Sequence, residues 1–139
     1  MSFIITVYTN EGIVMASDSR TTYTTTRKLS DGTTEKQVGV QTTDTTYKTF
    51  QCNSRVGLST CGTASINGSP IAGFIEEFIS ENVTEDDGVD KISNEVLNFF
   101  IKYSPVPAAD FIVAGYDSTD NKQHINRVRL ASQEIVPIV

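Results

Sequence analysis

The sequence predicts an α+β fold in which strands and helices occupy separate parts of the chain. β-Branched residues fill two short runs within the first twenty positions, and apolar residues between 71 and 103 recur at three- and four-residue spacing. After residue 110 the composition returns to that of strands. Strands on both sides of a helical block indicate layers of sheet and helix without βαβ alternation.

The strands before the helical block are predicted as three antiparallel pairs. Residues 3–9 and 13–17 flank a turn at Asn10-Glu11-Gly12, which is typical of a β-hairpin. The Thr-rich stretch 21–46 contains a turn at 29–32 and is read as a long, exposed two-stranded excursion. A subunit contact and a mobile loop without a function are equally good readings of this excursion. Residues 47–52 and 55–61 form the third pair.

Two helices and three strands complete the predicted order. Pro70 suits the first turn of the first helix. The apolar face of this helix consists of Ile71, Phe74, Ile75, Phe78 and Ile79. Glu76 and Glu77 lie away from that face. The second helix is predicted to end near Ser104-Pro105, with an apolar stripe of Ile92, Val96, Phe99, Phe100 and Tyr103. The final strands cover 111–115, 124–130 and 135–139.

Length and composition predict one soluble globular domain over residues 1–139. Hydrophobic residues make up 38% of the chain and charged residues 20%. The net charge of -6 argues against a nucleic-acid partner, because phosphate binding needs a basic surface. The short opening apolar run is unlike a secretory signal, and no run approaches the roughly 18 residues of a membrane span. We therefore expect a cytoplasmic protein with no membrane partner.

The residue types that bind metals are few and scattered. Cys52 and Cys61 lie in strand-like runs without a Cys/His ligand cluster, so two ordinary buried thiols are expected. His124 is interpreted as a strand residue without a catalytic role. The sequence thus predicts no metal site and no cofactor.

The N-terminal hairpin is the first candidate for a reactive site. It could place Ser2 beside the carboxylate of Asp18, which follows the second strand. If Met1 is removed, Ser2 carries both a hydroxyl and a free α-amine, and that amine can act as the general base for its own hydroxyl.

Four stretches, 11–20, 47–51, 55–64 and 110–117, resemble in order the proteasome-type N-terminal nucleophile (Ntn) hydrolases. This family comprises the proteasome β subunits and their bacterial proteasome-like relatives. The resemblance implies a four-layer αββα sandwich and a homo-oligomeric ring enclosing a proteolytic chamber. An ATPase unfoldase as a further partner is left open.

The resemblance also implies a set of site residues. Ser2 falls on the N-terminal nucleophile, Asp18 on the acidic residue of the first hairpin, and Lys48 on the lysine close to the nucleophile. Gly62 falls on the glycine whose backbone N–H helps hold the oxyanion, and Arg20 would support Asp18. Each residue also has a structural reading: a surface ion pair, a solvated strand lysine, or a glycine that ends a strand.

These residue types suit hydrolysis for separable reasons. An α-amine with a pKa of ~7.7 to 8.0 is already partly neutral near pH 7 and can take the hydroxyl proton. A nearby Lys48 ammonium would bias that amine towards its neutral form, and Asp18 would keep Lys48 charged and in place. A backbone N–H at Gly62 would stabilise the developing negative charge.

The chain departs from the family pattern in four places. The Gly-Ser-Gly segment and terminal helices, with the Ser and Asp that complete the family's site, are expected after the last strand pair. The sequence stops at Val139, so we expect either a truncated chain or an incomplete site. Ser2 stands where the family usually has Thr, and a retained Met1 would leave Ser2 without a free amine. The Thr-rich insertion 21–46 also separates Asp18 from Lys48 by an unusual length.

Three hypotheses follow. The first is a proteasome-like endopeptidase that cleaves peptides or unfolded proteins with Ser2 as nucleophile. The second is a non-catalytic, proteasome-like structural or assembly subunit. The third, less favoured because the motifs match the proteasome branch, is an amidase of another N-terminal nucleophile type.

Overall fold

The computed structural model describes residues 2–43 and 45–139, with 23–27 and 35–43 described by their backbone alone. These residues form two α-helices and eleven strands, and the helices follow one another without a strand between them. All the described strand pairs are antiparallel. The α+β class predicted from the sequence is therefore confirmed. Within the described ranges, no helix has the length and apolar character needed to cross a membrane.

The chain opens with the predicted hairpin. Strands β1 (Ile4–Thr9) and β2 (Gly12–Ser17) pair in register, with Val7 opposite Val14. β-Branched side chains supply much of both strands, and their restricted rotamers suit a pleated surface. Beyond the strands, the Asp18 N–H donates to the carbonyl of Phe3 at 3.0 Å, so the pairing continues to residue 18.

The Thr-rich excursion forms a second hairpin. Strands β3 (Thr21–Lys28) and β4 (Thr34–Thr43) pair with each other as a separate two-stranded sheet. Gly32 adopts a φ of 87° in the turn, a conformation that favours glycine, and Asp31 accepts a hydrogen bond from the Thr33 N–H at 2.9 Å. The predicted two-stranded excursion is confirmed, and its contact with a neighbouring subunit stays a prediction.

The third hairpin joins β5 (Thr49–Gln51) to β6 (Val56–Gly62). Asn53 in its turn is buried, and its Nδ2 donates to the carbonyls of Thr84 and Asp87 at 3.1 and 2.9 Å. Buried carbonyls without such donors would cost free energy, so this amide fixes the turn against a later segment of the chain.

The first helix is preceded by a short strand pair that the sequence did not predict. Strands β7 (Ser65–Ile66) and β8 (Ser69–Pro70) pair, and α1 (Ile71–Asn82) begins directly afterwards. Pro70 is the N-cap residue and lies outside the first turn, which corrects its predicted position by one residue. The predicted apolar face is confirmed, and its buried residues are Ile71, Ile75 and Phe78.

The second helix, α2 (Val89–Ile101), also buries its predicted apolar stripe. Its buried residues are Val89, Ile92, Ser93, Val96, Phe99 and Phe100. The helix ends at Ile101, ahead of Pro105, so Tyr103 lies outside it. The Tyr103 ring nevertheless joins the core, because it packs edge-on against Phe74 with ring centroids 5.5 Å apart.

Three strands complete a five-stranded antiparallel sheet. They are β9 (Ala109–Tyr116), β10 (Gln123–Arg129) and β11 (Glu134–Pro137), and the strand order is β11-β10-β9-β6-β5. Alternate side chains of the sheet face the helices, which places Leu58, Phe111, Val113 and Val128 in one buried core with α1 and α2. Buried Asn126 fastens β10 to α2, donating to Asp90 Oδ1 at 2.8 Å.

The opposite face of the sheet carries the N-terminal hairpin. A β-carbon added to Gly57 would lie 2.8 Å from Met15 Sδ, which shows how closely β2 approaches β6. Ile4 of β1 and Ile112 of β9 line one cavity of about 390 Å³ between the two layers. The outer face of the hairpin is apolar and exposed: Phe3 is 65% accessible and Val14 66%.

Helices, five-stranded sheet and hairpin thus stack in that order within the described residues. The four-layer αββα sandwich implied by the resemblance stays a prediction. One smaller expectation is corrected: Cys52 is a buried thiol as predicted, but Cys61 is only partly buried. Cys61 lines the cavity between the sheet and the hairpin.

Candidate active site

Asp18 lies where the hairpin meets the N-terminal residues. Its Oδ1 accepts a hydrogen bond from the Phe3 N–H at 2.8 Å, while its own N–H donates to the Phe3 carbonyl at 3.0 Å. The Phe3 N–H is the largest cause of a lowered Asp18 carboxyl pKa, and Lys48 lowers that pKa further. Asp18 is therefore a carboxylate at neutral pH, and it fixes the backbone directly after Ser2.

Lys48 brings a buried positive charge to the same place. The residue is 5% exposed, and its Nζ donates to Asp18 Oδ1 at 3.0 Å and Oδ2 at 2.9 Å. Nζ also donates to the carbonyl of Arg20. Three acceptors match the three N–H groups of an ammonium, so burial leaves none of them unsatisfied. A buried lysine is rare without such a partner.

Ser2 and Lys48 line one small crevice of about 20 Å³, room for about one water molecule. Ser2 is half-buried there. The structure thus brings together Ser2, Asp18 and Lys48, the three residues that the resemblance groups around the nucleophile. Met1, whose removal would free the α-amine, lies outside the described residues.

Gly62 has a structural role of its own. It ends β6 with a φ of 105°, and an added β-carbon would lie 2.5 Å from the carbonyl oxygen of Ala108. Cys61 and Thr63, on either side of it, line the crevice, but Gly62 does not. Positive φ and the close approach of Ala108 therefore explain this glycine. Its role in holding an oxyanion stays a prediction.

Arg20 supports the pair through its backbone. Its carbonyl accepts a hydrogen bond from Lys48 Nζ, and a backbone hydrogen bond from Arg20 contributes to the low pKa of the Asp18 carboxyl. The side chain is exposed. The expected support of Asp18 by the Arg20 residue stays a prediction.

The sequence reasoning missed the threonines that form the crevice. Thr21 and Thr60 are buried, Thr46 is half-buried, and all three line the crevice beside Ser2. Among the residues that the structure describes, the buried Thr60 Oγ1 finds no hydrogen-bond partner. Thr21 and Thr46 lie at the two ends of the Thr-rich insertion 21–46. That position was the signal in the sequence that could have placed them near Asp18 and Lys48.

Larger cavities lie away from these residues. One of about 650 Å³ is lined by Met15, Arg55 and Tyr116 among others, and the 390 Å³ cavity lies between sheet and hairpin. Neither includes Ser2, Asp18 or Lys48 in its lining. We place the candidate site at the small crevice, because Ser2 and the buried Lys48 line it and Asp18 contacts Lys48 beside it.

The described part of the chain contains no group of three or more His, Cys, Asp or Glu side chains arranged to hold a metal ion. His124 lies on strand β10, as predicted, and its Nε2 lies 3.1 Å from Asp120 Oδ2. Ser2 and Lys48 bring a hydroxyl and an ammonium to the crevice, and the Asp18 carboxylate contacts that ammonium. Such groups are suited to acid–base and nucleophilic chemistry. No protein-family model and no curated protein matches this chain.

Proposed function

We propose that this chain is a proteasome-type Ntn hydrolase domain that cleaves peptide bonds with Ser2 as its nucleophile. The observation that carries the proposal is the Lys48–Asp18 pair beside Ser2. Both carboxylate oxygens of Asp18 contact Lys48 Nζ, at 2.9 and 3.0 Å, and Oδ1 also accepts the N–H of Phe3, the residue after Ser2, at 2.8 Å. The buried Lys48 ammonium and the Ser2 hydroxyl line one crevice, and such groups are used in acid–base and nucleophilic catalysis.

The chemistry would proceed in two steps. With Met1 removed, the α-amine of Ser2 takes the proton from Ser2 Oγ as that oxygen attacks the peptide carbonyl carbon. The same proton then passes to the departing peptide nitrogen as the C–N bond breaks, leaving an ester on Ser2. Water, deprotonated by the amine, hydrolyses the ester and restores the hydroxyl.

Lys48 and Gly62 have separate parts in this proposal. The Lys48 ammonium disfavours protonation of the Ser2 amine, because two positive charges repel in a partly buried site. The Gly62 N–H is proposed as an oxyanion donor on the resemblance alone. Removal of one such donor in a studied hydrolase costs ~2.7 to 4 kcal/mol of transition-state stabilisation.

The exposed outer face of the hairpin supports the wider architecture that the resemblance implies. Phe3, Val7 and Val14 form an apolar surface, and their exposed fractions are 65%, 49% and 66%. Apolar surfaces of this kind are usually covered by further structure or by another subunit. We therefore include in the proposal the four-layer sandwich and a homo-oligomeric ring. The proposal also includes a cytoplasmic location and leaves an ATPase unfoldase open.

A non-catalytic scaffold subunit is the second candidate. The observation in its favour is that Asp18 and Arg20 accept all three N–H groups of the Lys48 ammonium. The pair therefore stabilises the junction of hairpin and sheet whether or not Ser2 reacts.

Intact mass of the purified protein, before and after treatment with an epoxyketone or β-lactone probe, separates the candidates. The peptidase requires loss of the Met1 mass, a covalent adduct on Ser2, and hydrolysis of unfolded protein substrates. Ser2→Ala should abolish the adduct, and Ser2→Thr should retain it because Thr keeps the hydroxyl. A processed, folded wild-type protein that forms no adduct would contradict the proposal and favour the scaffold. Light scattering then tests the ring.

A further inference from the structure

Three hydroxyls form a chain directly beside the Asp18–Lys48 pair. Thr49 Oγ1 donates to Ser17 Oγ at 2.9 Å and lies 3.0 Å from Ser59 Oγ. Ser59 is completely buried, and Ser17 and Thr49 are half-buried. We refer to these three residues as the hydroxyl clamp.

The number of hydroxyl protons determines which residue donates each hydrogen bond of the clamp. A threonine hydroxyl has one proton, and Thr49 gives it to Ser17. The hydrogen bond between Thr49 and Ser59 must then be donated by Ser59. The clamp therefore runs in one direction, from Ser59 on β6 through Thr49 on β5 to Ser17 on β2.

The clamp connects two layers at the point where the charge pair forms. Strands β5 and β6 are neighbours in the five-stranded sheet, with Thr49 opposite Ser59, whereas β2 belongs to the separate hairpin sheet. The hydrogen bond between Thr49 and Ser17 is thus a cross-layer contact. Each of its residues is adjacent in sequence to one member of the pair: Ser17 precedes Asp18, and Thr49 follows Lys48.

We propose that Thr49 is a positioning residue, whose hydroxyl sets the distance between hairpin and sheet so that the Asp18 carboxylate meets the Lys48 ammonium. This deepens the proposed function and rests on it for any catalytic consequence. The geometric part stands on the contacts alone, because the Thr49–Ser17 hydrogen bond and the Lys48–Asp18 ion pair join neighbouring residues of the same two segments.

The test compares Thr49→Val, which removes the hydroxyl at nearly unchanged shape, with Thr49→Ser, which keeps it. The readout is the titration of the Asp18 carboxyl carbon by NMR. The Phe3 N–H is the largest cause of the lowered Asp18 pKa, and contact with Lys48 lowers it further. We expect Thr49→Val to lose the Lys48 part and shift the Asp18 titration to higher pH, and Thr49→Ser to keep the wild-type titration. Wild-type titration of Asp18 in folded Thr49→Val would overturn the proposal.

A matched control removes a buried hydroxyl elsewhere. Ser93 is completely buried in α2 and donates to the Val89 carbonyl at 2.7 Å, so Ser93→Ala should lower stability without moving the Asp18 titration. An equal shift in Ser93→Ala would mean that Asp18 responds to general loosening, and this would also overturn the proposal. If Thr49→Val does not fold, Ser17→Ala gives the same test from the acceptor side.

The outcome is independent of the proposed reaction. The Asp18 titration needs no substrate, so a wild-type protein without a Ser2 adduct would defeat the peptidase and leave the clamp testable. If wild type forms the adduct, Thr49→Val should form it more slowly, and Thr49→Ser at close to the wild-type rate. A shifted Asp18 titration with an unchanged adduct rate would restrict the clamp to a structural role and overturn its link to the site.

Discussion

Lys48 Nζ contacts both carboxylate oxygens of Asp18, at 2.9 and 3.0 Å, although the two residues lie 30 positions apart in sequence. The intervening segment, from Thr21 to Thr43, forms a hairpin of its own, so the chain returns to the start of β5 close to the end of β2. The same carboxylate accepts the Phe3 N–H. One side chain therefore ties the N-terminus, the first hairpin and the sheet together.

The contribution of Asp18 to stability should depend on pH. Its carboxyl pKa is lowered in the folded protein, so the ionised form favours folding. That contribution is full above the ordinary aspartate pKa of 3.8 and is lost as the pH falls through the lowered folded value. Wild type should exceed Asp18→Asn in free energy of unfolding near pH 7, and the difference should shrink under acid. Urea titrations at several pH values measure it.

Glu76→Gln provides the matched control for this comparison, because it removes one carboxylate from the exposed face of α1. Its difference from wild type should stay small across the same pH range. A constant difference between wild type and Asp18→Asn from pH 7 to strongly acidic conditions would contradict the assigned role of Asp18.

Gly62→Ala should destabilise the fold even without any effect on chemistry. Its φ of 105° is strained for a residue with a β-carbon, and that atom would meet the Ala108 oxygen at 2.5 Å. Such backbone strain costs about 1–3 kcal/mol, and the contact adds to it. Gly73→Ala in α1, where nothing lies within 4 Å, should instead stabilise by about 0.5–1 kcal/mol. Thermal unfolding of both variants checks the contrast.

The two thiols should react at different rates. Burial raises the pKa of Cys52 to about 12 and also raises that of Cys61, with Asp110 adding to the latter shift. Cys61 is only partly buried. In the native protein at pH 8, iodoacetamide should label Cys61 slowly and Cys52 only through unfolding, because the thiolate is the reactive form. Peptide mass spectrometry measures both, and the urea-unfolded protein should label them equally. Faster labelling of native Cys52 would show that the β5–β6 turn opens.

Local patterns determined much of the fold. The three- and four-residue spacing of Ile75 and Phe78 predicted the buried face of α1, because helical periodicity is set by the backbone of one segment. The run of β-branched residues before and after Asn10 predicted the first hairpin for the same reason. The resemblance, not the periodicity, implied the contact of Asp18 with Lys48, which the structure contains.

The crevice and the clamp were decided by tertiary structure alone. Thr60 is one threonine among many, and nothing in its local sequence distinguishes a crevice wall from a solvated strand face. Ser17 and Thr49 meet because the hairpin packs across the sheet, a contact between layers that no strand periodicity specifies. Sequence spacing fixes which face of a segment is apolar, whereas the partners of that face depend on how separate segments pack, and only the folded chain sets that arrangement.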